Sequence, residues 1–128
     1  MNKVIDKKQS IFVLLLISAF SLLILIFSIR IINNAKDLNL QADMTRVNTS
    51  IIEYYIHNSI FPKENRCNIK EGCVNLNEKI IIFVDENIYY TSNEKDYILY
   101  SPSFVNNKIY FVTGFDFLLK KILEIPEL

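Results

Sequence analysis

The chain has 128 residues and a mass of 15.0 kDa, which is room for one domain and excludes a multidomain enzyme. Its 14 basic and 14 acidic residues give a formal net charge of zero, and no basic cluster is longer than two residues, so the charge footprint of a nucleic-acid-binding protein is absent. Charged residues make up 22% of the chain, yet the mean hydropathy is +0.21. A strongly apolar segment must therefore lie within an otherwise polar sequence.

Residues 11–29 form this segment, with no charge among 19 residues. As a helix they would extend roughly 28 Å, about the thickness of the hydrocarbon core of a bilayer. A cleaved signal peptide and a retained anchor both fit the basic residues before it, Lys3, Lys7 and Lys8. The apolar run is longer than a signal core, and no pair of small residues suited to signal peptidase follows it. We interpret residues 11–29 as a retained transmembrane helix and residues 1–10, by the positive-inside rule, as its cytoplasmic end.

Cys67 and Cys73 are the two cysteines of the chain. Their spacing matches neither the short zinc motifs nor the redox motifs, which have two intervening residues. A pair that closes a small polar loop indicates a disulfide, and such bonds persist in the periplasm or outside the cell. Two unpaired thiols in a cytosolic domain are the alternative. With the anchor, the pair predicts that the chain after the membrane lies outside the cytoplasm.

The predicted helix continues beyond the membrane, because neither Gly nor Pro occurs before Pro62. Residues 30–61 form this extension. Apolar residues recur on it in steps of four and three, which traces one helical face. This face must bury against the rest of the chain. The predicted packing face consists of Leu40, Met44, Val47, Ile51 and Tyr54.

Residues 62–128 are predicted to form a small strand-rich lobe. After a polar, turn-like stretch at residues 63–72, short β-branched and aromatic runs are bounded by turn residues, which favours an antiparallel meander. Residues 115–123 fit a short amphipathic helix or a last strand equally well. The predicted strands are 79–84, 88–91, 97–101 and 108–113. The fold class is therefore α+β: a long N-terminal transmembrane-plus-amphipathic helix packed on a small antiparallel sheet.

Three stretches, residues 40–47, 51–62 and 89–100, resemble the type IV pilins and the pseudopilins of type II secretion. In that family an apolar N-terminal helix passes into an amphipathic half that ends in a tyrosine and an aromatic-proline pair. Tyr55 and the pair Phe61-Pro62 are similar to that ending, and residues 96–99 are similar to a later strand.

No glycine precedes the apolar run of this chain and no acidic residue lies within it, so the resemblance is to a minor or degenerate member of the family. It implies a structural subunit of a secretion or DNA-uptake machine. The implied partners are the membrane, other pilin-like subunits and an inner-membrane assembly platform, with no direct contact to nucleic acid. The implied location is the inner membrane, crossed once, with the lobe in the periplasm.

Catalytic chemistry is not indicated by the sequence. His57 is the sole histidine, and Ser59 is too near to it in sequence to form a triad with an acidic residue. Two glycines, Gly72 and Gly114, cannot build a glycine-rich phosphate loop. We therefore predict that the protein is not an enzyme and that His57 is a solvated or capping residue.

The predicted turns carry oxygen ligands of the kind that calcium prefers, although their spacing does not match a helix-loop calcium motif. The same residue types are ordinary turn formers. We predict no cofactor, with calcium as the alternative. The residues concerned are Asp85, Glu86, Asn93, Glu94 and Asp96.

Several tyrosines in the predicted strands could form a surface on which a ligand stacks. We favour instead an alternation of these side chains across the sheet, half in the core and half on the wet face. They are Tyr89, Tyr90, Tyr97, Tyr100 and Tyr110.

Two functions follow from the sequence. The first is a minor pseudopilin-like subunit of a type II secretion or DNA-uptake machine. The second is a single-pass membrane sensor or accessory protein whose outer lobe binds a ligand or partner.

Overall fold

The computed structural model describes residues 6–80, 82–105 and 107–113, and the backbone of residues 116–122. It confirms the α+β class, because one long helix packs on an antiparallel sheet. In chain order the elements are α1 (Lys7–Asn58), β1 (Glu64–Asn68), α2 (Val74–Lys79), β2 (Tyr89–Ser92), β3 (Tyr97–Pro102), β4 (Ile109–Thr113) and β5 (Asp116–Ile122).

Helix α1 is continuous over 52 residues, or about 78 Å at the usual helical rise. Three serines in its apolar part donate their hydroxyl hydrogens to backbone carbonyls three or four residues earlier, so these polar groups are satisfied within the helix itself. The helix ends at Ser59, which is left-handed (φ 59°) and donates its N–H to the Tyr55 carbonyl. The end thus comes shortly before Pro62, which disfavours helical backbone at the residue preceding it.

The five strands form one sheet in the order β1-β2-β3-β4-β5, each antiparallel to the next. This is the predicted meander, because every neighbour in the sheet is also the neighbour in sequence. The edge strand β1 is irregular: its register shifts between Glu64 and Cys67, and Arg66 has a positive φ of 48°. A bulge of this kind bends an edge strand and interrupts its ladder of hydrogen bonds.

One hydrophobic core lies between α1 and the inner face of the sheet. Alternate strand residues point into it, as a half-buried antiparallel sheet requires. The segment around α2 closes one side. The core residues are Leu40, Met44, Val47, Ile51, Phe61, Ile69, Cys73, Leu76, Ile88, Tyr90, Tyr97, Leu99, Tyr110 and Val112.

The predicted strand at residues 79–84 is wrong. Lys79 ends α2, and the described residues that follow it are irregular, with Ile80, Ile82 and Val84 half-buried against the core. Residue 81 lies outside the described residues. An apolar run can bury its side chains without a ladder, and here β1 already pairs with the free side of β2.

The strand that takes this place comes from the polar stretch predicted to be turn-like. β1 has the sequence ENRCN, which carries no alternation of apolar residues that would indicate a strand. At the other end of the sheet, the segment for which the sequence left helix and strand open forms a strand, β5. The two ends of the predicted segment, Phe115 and Leu123, lie outside the described residues.

The structure contains a disulfide between Cys67 and Cys73, which ties the end of β1 to the start of α2. Cys73 is 1% exposed, so the bond anchors the edge strand to the core. We expect the double variant Cys67→Ala/Cys73→Ala to lose about 2 kcal/mol of stability, because a loop this short limits the unfolded chain only moderately. Urea unfolding of the variant beside the oxidised and reduced parent measures this. Equal midpoints for the parent with and without reductant would contradict it.

Candidate functional site

The first feature of functional interest is the apolar N-terminal half of α1, which packs against no other element among the described residues. Its large apolar side chains between Ile11 and Ile32 are 51–68% exposed on every side of the helix. Within the described residues, one helix is long and apolar enough to cross a membrane, and it is α1. The chain is thus compatible with a single-pass membrane protein.

The outer half of α1 is joined firmly to the lobe. Leu40, Met44, Val47 and Ile51, four residues of the predicted packing face, have no exposed surface. Tyr54, the fifth, is half-buried at the edge of the contact, and the Lys79 ammonium lies 5.5 Å from its ring centroid. One continuous helix therefore contains both the exposed apolar segment and one side of the core of the lobe.

A buried carboxylate fastens the helix to the sheet at the membrane-side end of this contact. Asp37 is 5% exposed and accepts three hydrogen bonds. Its Oδ1 accepts the Ser103 hydroxyl (2.7 Å) and the Phe104 backbone N–H (2.9 Å), and its Oδ2 accepts the Tyr110 hydroxyl (2.6 Å). Gln41, one helical turn further on, donates to the same Tyr110 oxygen (2.9 Å). These bonds satisfy a charge that would otherwise be costly to bury.

Two tyrosine hydroxyls fasten the far end. Tyr97 donates to the Oδ1 atom of Asn48, which is 6% exposed on α1, and Tyr90 donates to the Pro62 carbonyl (2.8 Å). Burial raises the pKa of both hydroxyls well above its ordinary value, so each remains a hydrogen-bond donor at physiological pH. Polar contacts therefore pin the lobe at both ends of the apolar face.

The residues that carried the family resemblance pack together where α1 ends. Tyr55 stacks on Phe61 with ring centroids 4.3 Å apart, and Phe61 also contacts the Tyr97 ring at 4.7 Å. The Phe61 N–H donates to the Glu94 carbonyl in the β2–β3 turn (3.0 Å). This aromatic group connects the end of α1 to the sheet and to the β2–β3 turn.

The strand tyrosines alternate across the sheet. Tyr90, Tyr97 and Tyr110 belong to the core, whereas Tyr89 and Tyr100 stack on the opposite face at 5.3 Å. Three of the five are thus committed to packing and to hydrogen bonds. They do not form one exposed ligand-stacking surface.

His57 lies exposed near the end of α1, where its Nδ1 is 2.8 Å from the Glu53 carbonyl oxygen. A carbonyl can only accept, so Nδ1 is the donor, and the bond stays within the last turns of α1. Ser59, two residues later, is the left-handed cap described above.

Two of the turn residues considered as calcium ligands, Asn93 and Asp96, bond to backbone groups of their own turn. Asn93 Oδ1 accepts the N–H groups of Lys95 and Asp96, and Asp96 Oδ1 accepts the N–H of Tyr97, which shapes the β2–β3 turn. Asp85 and Glu86 lie in a separate loop, where the Asp85 N–H faces the Asp43 carboxylate at 3.4 Å.

One group among the described residues has the geometry of a metal site: Glu64, Cys67 and Cys73. Both sulfurs are used by the disulfide and cannot bind as thiolates. Glu64 Oε1 accepts the Leu76 N–H at 2.9 Å, at the start of α2. The group is structural.

The side of α1 opposite the lobe carries a line of small residues. They recur every seventh position, which advances a helix by nearly two whole turns, so they share one face from the membrane segment to the lobe. All of them are exposed. The line consists of Ser21, Ser28, Ala35, Ala42 and Thr49.

The sequence analysis did not predict that Asp37, Asn48 and Tyr110 form hydrogen bonds between α1 and the sheet. Asp37 lies seven positions before Met44 and three before Leu40, so it continues the predicted apolar face. This position on the apolar face is the sequence feature that could have identified Asp37 as buried. Comparison with known proteins adds no assignment, since no protein-family model, curated protein or solved structure matches this chain.

Proposed function

We propose that the protein is a minor pseudopilin-like structural subunit of a type II secretion or DNA-uptake machine. It would be held in the inner membrane by α1 with its N-terminus in the cytoplasm and its lobe in the periplasm. The partners are other pilin-like subunits and an inner-membrane assembly platform. The role is structural rather than enzymatic.

The proposal rests on one observation, which is that the two halves of α1 have different surroundings. Its first half is apolar and exposed on every side, while one face of its second half is part of the core of the lobe. A plain tether needs no fixed angle between anchor and domain. A subunit that must stack with copies or relatives does, because the helix and the lobe have to meet their neighbours at the same time.

The line of small residues on α1 supports the same role. Helices in lipid gain little from apolarity alone, because lipid tails are equally apolar, and they associate through close, shape-matched contacts at small residues. The line faces away from the lobe, so a neighbouring helix can approach it without meeting the sheet. It continues past the membrane segment to Ala35, Ala42 and Thr49.

The test replaces residues 11–29 by leucine throughout. Length and apolarity suffice to span a bilayer, so we expect unchanged membrane localisation and a folded lobe. Co-purification with pilin-like partners, and secretion or DNA uptake in the host cell, should fall sharply. A matched control leucine segment retains Ser21 and Ser28, the two residues of the line within the segment, and we expect it to recover much of the association.

Full activity of the complete leucine segment would contradict the fibre-subunit role. The membrane segment would then be an anchor only, and a sensor or accessory protein with a binding lobe would be the better description. The proteins that co-purify with the parent chain distinguish the same two roles: pilin-like subunits or an assembly platform favour the first, and an unrelated receptor favours the second.

A further inference from the structure

The β3–β4 turn, of which the structure describes residues 103–105, 107 and 108, lies at the end of the lobe nearest the apolar segment of α1. Strand β3 begins at Tyr97, beside Asn48 of α1, and the turn that follows it reaches Asp37, eleven positions earlier on the helix. β3 therefore runs along α1 toward the apolar segment, and the β3–β4 turn follows the end of β3 that is nearer to that segment.

The distance of the turn from the edge of the hydrocarbon follows from the position on α1 of the residue that it contacts. Asp37 comes five positions after Ile32, the last of the exposed apolar residues that begin at Ile11. Five residues rise about 7.5 Å. The headgroup layer of one leaflet is roughly 5–7.5 Å thick, which is half the difference between the total and the hydrocarbon thickness of a bilayer. Ile31 and Ile32, 65% and 54% exposed, extend the apolar surface beyond the predicted span of residues 11–29. If Ile32 marks the edge of the hydrocarbon, Asp37 and the turn bonded to it lie at the outer side of the headgroups.

The turn offers the side chains that favour such a layer. Phe104 and Val105 are 38% and 46% exposed at its tip. The Lys36 ammonium lies 5.8 Å from the Phe104 ring centroid. Arg30 is seven positions before Asp37, so it lies two helical turns nearer the membrane on almost the same face. Aromatic and aliphatic side chains beside cations are typical of peptide segments at the membrane interface.

We propose that the β3–β4 turn is a second membrane contact, in addition to the spanning helix. Phe104 and Val105 enter the headgroup layer of the leaflet from which α1 emerges, and Lys36 and Arg30 bind lipid phosphates around them. The Asp37 carboxylate holds the turn at this height through its bonds to Ser103 and Phe104. The proposal requires that α1 spans a bilayer and does not depend on a role in a fibre.

The chain has no tryptophan, so one introduced tryptophan reports on its own surroundings. We would place Phe104→Trp, in the full chain, in nanodiscs of phosphatidylcholine and phosphatidylglycerol that carry nitroxide-labelled lipids. The matched control is Phe83→Trp. Phe83 is more exposed (81%), and its carbonyl accepts a bond from Arg46, a residue about 21 Å above Ile32 along the helix.

We expect blue-shifted emission and loss of fluorescence with nitroxide lipids for Phe104→Trp, and neither for Phe83→Trp. Adding Val105→Asp to the first variant should reverse both effects, because an exposed carboxylate is repelled from the anionic surface. Similar quenching of the two tryptophan variants, or none in either, would overturn the proposal. A blue shift without lipid quenching would also overturn it, since a protein rather than lipid would then cover the turn.

Discussion

Ile51→Asp should prevent the lobe from folding. Ile51 has no exposed surface and lies in the core between α1 and the sheet, together with Met44 and Val47. The substitution removes a packed side chain and buries a carboxylate with no partner, which together cost at least about 4 kcal/mol. This is most of the stability of a small domain. Val47→Asp should act in the same way.

Urea unfolding in detergent micelles, followed by the near-ultraviolet circular dichroism of the tyrosines, measures this loss. The tyrosine signal is needed because the membrane half of α1 remains helical in detergent and would mask the lobe in the far ultraviolet. The matched controls are Thr45→Asp and Thr49→Asp, which add the same charge at exposed positions of the same helix. Equal unfolding midpoints for Ile51→Asp and the two controls would show that the face is not packed.

For Asn48→Asp, the sequence pattern and the structure predict different effects on stability. The spacing of apolar residues places Asn48 off the packing face, so the pattern predicts little effect. The structure instead buries Asn48, with its amide oxygen accepting the Tyr97 hydroxyl. We expect this substitution to cost about 2 kcal/mol by burying a charge, measured in the same urea series.

Asp37→Ala should produce the second large effect, a loss of about 3 kcal/mol. It removes the acceptor of three hydrogen bonds, two of them from side chains on the sheet and its turn. Tyr110 is only 6% exposed, so water cannot easily replace the carboxylate as partner of its hydroxyl. The β3–β4 turn should also loosen, because Ser103 and Phe104 lose their contact with the helix.

Asp37→Asn and Asn39→Ala are the matched controls for this prediction. An asparagine keeps one carbonyl oxygen, enough for the donors of the turn, and we expect it to lose about half as much stability. Asn39 is exposed two positions away, and its truncation should have little effect. Amide hydrogen exchange of the β3–β4 hairpin, compared across the three variants, locates the change. Protection in Asp37→Ala equal to that of the parent would refute the role of the carboxylate.

The helix and its packing face could be predicted because both rest on local periodicity. Apolar residues in steps of four and three define a face without knowledge of what covers it, and the lack of Gly and Pro leaves α1 uninterrupted. The turns of the meander were equally local, since Asn and Asp shape them through bonds to their own backbone.

The hydrogen bonds between α1 and the sheet could not be predicted in the same way, because they join residues far apart in sequence. The partners of Asn48 and Asp37 lie 49 to 73 positions away, and a polar residue on a helix is by default assigned to solvent. The strand error has a similar origin. Whether residues 79–84 or the polar β1 pair with β2 depends on which segment reaches that edge, and the disulfide at Cys67 holds β1 there.

The irregular form of β1 also bears on the solubility of the lobe. A meander leaves its first strand with an unpaired row of N–H and C=O groups, and such a row can pair with the edge of another molecule and begin aggregation. In β1 the register shift between Glu64 and Cys67 and the positive φ of Arg66 break that row after a few residues. Charged side chains from Glu64 and Arg66 stand on the same short strand. The lobe is thereby protected from joining a neighbouring molecule edge to edge through β1.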